Sequence, residues 1–152
     1  MIRDDIKGAM KDAMKAKDTA ALGALRLMIS AINDKDIERR GSEAAAGDDD
    51  AIVIEVLKRM IKQRRDSIAL YEKGGREDLA EKERGELAVI ERFLPRQMSG
   101  EETEAAVREA IAAVGASEPK DMGRVMAELR ARHADTMDMG RASALAKAAL
   151  AS

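Results

Sequence analysis

Residues 71–99 read YEKGGREDLAEKERGELAVIERFLPRQMS, and the reading of this stretch decides the fold. Nearly half of it is charged, yet it ends on the hard stop Phe93-Leu94-Pro95. Gly74-Gly75 reads as a helix terminus, because glycine takes the left-handed conformation that a helix end requires. From about Arg76 to Phe93, Leu79, Leu87, Ile90, Phe93 and Leu94 recur at helical spacing, and Pro95 closes the run. Upstream, over about 51–73, Ile52, Val53, Val56, Leu57, Met60, Ile61, Ile68 and Tyr71 form a second stripe. Two helices joined by about two residues pack as antiparallel neighbours. The stretch is therefore one arm of a helical hairpin followed by a boundary.

The rest of the chain agrees with a helical reading. Of its 152 residues 45% are hydrophobic, but only 1% are aromatic: one Phe, one Tyr and no Trp. A core must come from Leu, Ile, Val, Ala and ten Met, which together with 37% charged residues predicts an all-α protein. Strands favour alternating β-branched and aromatic residues, and no such run is found. A first helix is expected over about 2–17. A second is expected over 19–40, with Asp18 as its N-cap. GSEAAAGDDD (41–50) reads as a mobile loop with Asp50 capping the helix after it. Ser99 and Glu102 form a capping box that opens a helix to about Val114. Shorter helices follow over about 119–132 and after Asp138. The expected architecture is an N-terminal helical domain, 1–95, with a long antiparallel hairpin, then a small three-helix domain, 96–152. Gly123, inside an apolar helical stripe, points to close helix packing or to close approach of a partner.

Charge and composition exclude several function classes. The formal net charge is −2, with 19 Lys+Arg against 20 Asp+Glu in 1–95 and 8 against 9 in 96–152, so any positive patch is local. The absence of cysteine removes disulfide, thiolate and cysteine-ligated metal chemistry. His133 is the sole histidine and builds no typical zinc site. No P-loop, dinucleotide glycine motif or EF-hand loop is present, so no cofactor and no metal are expected. No apolar run approaches membrane-spanning length and the N-terminus lacks a signal-peptide core, which predicts a cytoplasmic protein without membrane partners.

Counting outward from Gly74-Gly75 brings Arg64 and Arg65 level with Glu83 to Glu86. Each stripe carries a charge where its periodicity wants an apolar residue. This predicts a sequestered pair of Glu83 with Arg64 or Arg65, with Glu86 close by, that fixes register. The catalytic alternative makes Glu83 and Glu86 paired acids; that chemistry wants a cleft with aromatic platforms, which this chain cannot supply. VLKRMIKQRR (56–65) holds five basic residues in ten. It reads as the wet face of an amphipathic helix, with Glu55 placed for Arg59, or as a phosphate-contacting surface. Without interleaved aromatics the base-stacking mode of RNA binding is removed.

LRLMISAI (25–32), RRDSIALYEKGGREDLAEKERGELAVIERFLPRQMS (64–99) and GASEPKDMGRVMAEL (115–129) together resemble the YqeY, or GatB/YqeY-domain, family. The resemblance covers nearly the whole chain. It implies a helical domain followed by a three-helix domain similar to the C-terminal tail of the B subunit of the tRNA-dependent amidotransferase, a tail taken to engage tRNA. The family label, carbon–nitrogen ligase with glutamine as amido-nitrogen donor, describes relatives whose catalytic parts this chain lacks. RARHADTMDMGRAS (130–143) departs from the short Lys/Gly/Arg-Ala-Asp turn of many relatives. The leading reading is a non-catalytic accessory protein whose C-terminal domain binds RNA, tRNA in the first place, weakly and through phosphates, with Arg124, Arg130, Arg132, Arg141 and Lys147 as candidate contacts and Lys62 and Arg65 as a second candidate surface. The other reading is a protein-interaction adaptor with no nucleic-acid role. An intrinsic amidotransferase ranks third, and no catalytic residue is assigned.

Overall fold

The computed structural model describes residues 1–41 and 48–151, and the protein is all-α. Most of the connection expected over 41–50 lies outside the described residues. The chain divides into two compact units, Met1–Leu94 and Pro95–Ser152.

The first unit contains α1 (Ile2–Lys15), α2 (Thr19–Arg40), α3 (Asp49–Lys73) and α4 (Glu77–Glu91). Asp18 caps α2, accepting the N–H of Ala21. The α3 cap is Asp48, whose side chain accepts the Asp50 N–H. Asp50 is therefore not the cap; its carboxylate accepts the N–H of Ile2 and ties α1 to the start of α3. The alternative cap exists because three consecutive aspartates offer the same side chain at three positions. Packing centres on the first half of α3, where Ile52, Val53, Ile54, Val56, Leu57, Met60 and Ile61 are buried. Ile6 and Ala13 of α1, Leu25, Met28 and Ile32 of α2, and Ile90 of α4 complete this core. The α3–α4 turn is made by Gly75 at φ +73°, with the Gly74 N–H donating to Leu70 O and the Arg76 N–H to Tyr71 O.

The second unit packs α5 (Gly100–Val114), α6 (Met122–His133) and α7 (Met139–Ala151), with a single 3-10 turn, Pro119–Asp121, before α6. The capping box forms: Ser99 Oγ accepts the Glu102 N–H and Glu102 Oε1 accepts the Ser99 N–H, each at 3.1 Å. That bond to the Ser99 backbone holds the Glu102 carboxyl below its ordinary range. Its core is aliphatic and small: Ala106, Val107, Ala110, Val125, Met126, Leu129, Met137, Ala142, Ala146 and Leu150. The preceding segment is fastened to the α6–α7 turn, as Gln97 Nε2 donates to Asp135 O and the Met98 N–H to Thr136 O. Gly123 is exposed, and a Cβ there would meet nothing within 4 Å, so close packing inside the chain does not explain it.

Ile90 is fully buried where α4 joins the core. Ile90→Ala is expected to lower the free energy of unfolding by roughly 2–5 kcal/mol, through lost burial and an unfilled cavity. Urea denaturation of the full chain measures it.

Candidate functional site

Three groups of charged side chains compete for a functional role, and their partners sort them. The first lies across the hairpin. Arg64 Nε sits 3.2 Å from Glu86 Oε2, with side chains 13% and 19% exposed. The N–H does not point at that oxygen, and Arg64 Nε is a buried nitrogen without a hydrogen-bond acceptor. The contact is thus a close charge pair with imperfect directionality. Arg65 pairs instead with Glu91 at 3.3 Å on the exposed side. Among the described residues no ion pair joins Glu83 to either arginine. The expected partner was one turn away from the observed one. Glu83 and Glu86 share a helical face, and the packing register puts the second opposite Arg64. Glu86 is engaged by Arg64, so Glu83 and Glu86 do not form the free carboxylate pair that the catalytic alternative requires. Nearer the turn, Arg84 binds three carboxylates: Glu77 at 2.6 Å, Glu81 at 3.0 Å, and Glu72 across the hairpin. Bonds to Glu77 first, then Glu72 and Glu81, raise the Arg84 pKa above its usual range.

The second group is the cations of the C-terminal unit. Arg124 donates to Val114 O at 2.7 Å and Asp121 Oδ1 at 2.8 Å, joining the end of α5 to the start of α6. Asp121 also accepts the N–H groups of Ser117 and Glu118. The Ser117 bond first, then Arg124 and Glu118, hold its carboxyl far below the ordinary range. SEPKDMGR is accordingly a built turn in which Arg124 is structural. Arg132 is paired with Glu128 at 2.6 Å. Arg96, Arg108 and Lys120 also have carboxylate neighbours. Arg130, Arg141 and Lys147 are exposed and carry no ion pair among the described residues. The Arg141 guanidinium lies over Gly100 at the start of α5, with Nη2 2.8 Å from where a Cβ on that glycine would stand.

The third group is the basic run of α3. Lys62 is exposed without an ion pair among the described residues, whereas Arg64 and Arg65 are paired as above. Glu55 pairs with Lys35 of α2 at 3.4 Å and not with Arg59. A neighbouring helix brought a nearer cation than the i+4 residue. Lys35 sits in a cavity of about 210 Å³ between α2 and α3, which Arg59, Met60 and Gln63 also line. One cluster has no signature in local sequence: Arg3 donates to Asp36 at 2.8 Å and to Asp49 at 2.9 Å, joining α1, α2 and α3. Bonds to Asp49 and Asp36 raise the Arg3 pKa, and Arg3 in turn lowers that of Asp49. Among the described residues no group of three or more His, Cys, Asp or Glu is arranged to hold a metal ion. No helix among them is long and apolar enough to cross a membrane.

A family model described as "Yqey-like protein" matches residues 3–150. The chain is also similar to proteins named "Altered inheritance of mitochondria protein 41, mitochondrial". The one from Saccharomyces cerevisiae is 37% identical over 89 residues, covering 59% of this chain and 46% of the yeast protein. The one from Kluyveromyces lactis is 35% identical over 117 residues, covering 75% of this chain and 60% of the yeast protein. The chain thus spans about half the length of the curated relatives it matches.

Two substitutions test the assignments above. Glu86→Gln strands the Arg64 charge between two helices. It is expected to cost roughly 1–3 kcal/mol, less than a fully buried pair because water reaches both groups, while Arg64→Met/Glu86→Leu restores most of the loss. Chemical denaturation distinguishes the three proteins. Asp121→Asn tests the turn. The parent carboxyl is depressed in the folded state, so its stabilisation is present above the ordinary aspartate pKa of about 3.9 and fades as pH falls toward the folded value. Thermal melts are expected to show the largest gap between parent and variant near neutral pH, closing in acid.

Proposed function

Because this chain belongs to the Yqey-like protein family, we propose that it is a non-catalytic accessory protein whose C-terminal unit binds RNA, tRNA in the first place, through phosphates. The observation that carries the reading is the sorting of the tail cations. Five of the eight face carboxylates, and Arg130, Arg141 and Lys147 are left exposed without an ion pair among the described residues. Unpaired guanidinium and ammonium groups are the side chains that neutralise backbone phosphates and release their condensed counterions. The choice of tRNA rests on the tail-like resemblance read from the sequence of 96–152. Arg124 and Arg132, engaged inside the unit, have lesser parts in this reading, and Lys62 outranks Arg65 on the first unit. The cytoplasmic placement read from the sequence stays part of the proposal; the word mitochondrial belongs to the yeast relatives' names.

Titration of labelled tRNA into the full chain is expected to show binding at low salt that weakens steeply as salt rises. Arg130→Ala/Arg141→Ala/Lys147→Ala should flatten the log–log salt slope by roughly 2–3 and weaken binding about tenfold or more, with little dependence on RNA sequence. The reading fails if tRNA does not bind at low salt and high micromolar protein, or if the triple variant binds as the parent does.

A further inference from the structure

From Lys62 to Glu86 the hairpin runs as regular helix, turn and helix, yet only Ala80 is buried. No apolar side chain in this stretch belongs to the core of the first unit or is among the half-buried ones packed on it. Fixing each residue costs about 1–2 kcal/mol of backbone entropy, and short helices without packing are marginal in water. Ile68, Tyr71 and Leu79 are only half-buried, and the Gly75 turn, the Arg64–Glu86 pair and the Arg84 cluster add order to the stretch. So much local fastening for so little internal burial suits a segment that buries its surface against another molecule.

The surface of this tip specifies what that molecule looks like. Leu70 is 70% exposed, more than any other large hydrophobic side chain described. Residues 66–85 hold six carboxylates against four cations. Glu72, Glu77 and Glu81 share the single Arg84, which leaves that cluster with two uncompensated negative charges. Asp66 and Glu83 have no ion pair among the described residues. A phosphate backbone is repelled by this sign. The complement is a cationic surface with an apolar recess, which is protein chemistry.

We propose that the tip of the α3–α4 hairpin is a docking surface for a basic protein partner, which seats Leu70 in an apolar pocket and completes the Glu72–Glu77–Glu81 cluster with Lys or Arg side chains. This surface is opposite in sign to the cations assigned to RNA, so either assignment can fail without the other.

The test uses the full isotope-labelled chain and three probes: a helical peptide of Leu and Lys with one apolar face, the same peptide with Glu for Lys, and tRNA. The cationic peptide is expected to shift the amide resonances of residues 68–84. Its affinity should fall roughly tenfold in Leu70→Ser, the factor that about 1.4 kcal/mol carries. It should fall again in Glu77→Lys/Glu81→Lys, while Leu27→Ser, another exposed apolar position, leaves it unchanged. All these positions are outside the core, and circular dichroism verifies that each variant stays helical. The proposal is overturned if the cationic peptide does not bind or shifts another surface, if Leu70→Ser and the charge reversals bind as the parent does, or if the acidic peptide or tRNA shifts the tip equally.

Discussion

The first unit depends on a change of character along one helix. Between Ile52 and Ile61, α3 offers apolar side chains to α1, α2 and α4, and these form the centre of the core. From Lys62 onward the same helix continues with no side chain in that core. The periodicity does not break; its content changes, from Leu57 and Met60 to Arg64. An aliphatic core without aromatic bulk needs many small contributions in register, so the point where α3 stops supplying them is the point where the core stops.

Several charged groups among the described residues act as fasteners. Arg3 joins three helices at one end of the core, Arg84 closes the hairpin at the other, and Asp121 with Arg124 shapes the turn into α6. Each is an arginine or aspartate with several partners, and several partners per charge hold geometry better than a single exposed pair does. That use of charge commits these groups to internal partners, although many exposed cations, Lys7, Lys11, Lys15 and Lys73 among them, carry no ion pair among the described residues. It also narrows where a ligand can act, because a group committed to internal acceptors must release them before it binds anything else.

The helices and several of their ends were legible in the sequence because those signals are local. The stripes of α3 and α4, the Asp18 cap, the Ser99–Glu102 box and the left-handed Gly75 follow from residues within one or two turns. Long-range partners were not legible to the same depth. Counting from the hairpin turn brought Arg64 to the right height but did not separate Glu83 from Glu86, since residues three apart share a helical face. Arg3 with Asp36 and Asp49 could not be read at all, because only tertiary packing brings those positions together. Glu55 turned to Lys35 for the same reason. In the tail, the sequence reading gave five cations equal standing, and only the turn geometry around Asp121 set Arg124 apart as structural.

A net charge of −2 conceals strong local segregation. Along α3 and into α4, the basic run 58–65 gives way to an acidic tip, and the reversal coincides with the end of core packing. Paired arginines at the junction, Arg64 with Glu86 and Arg65 with Glu91, neutralise the boundary. At a Debye length of about 8 Å in physiological salt, fields from opposite patches separated by a few helical turns are screened from each other. A near-neutral chain can therefore present surfaces of both signs without one cancelling the other. Composition sums over them, and only the placement of each partner reveals which charges remain for a ligand.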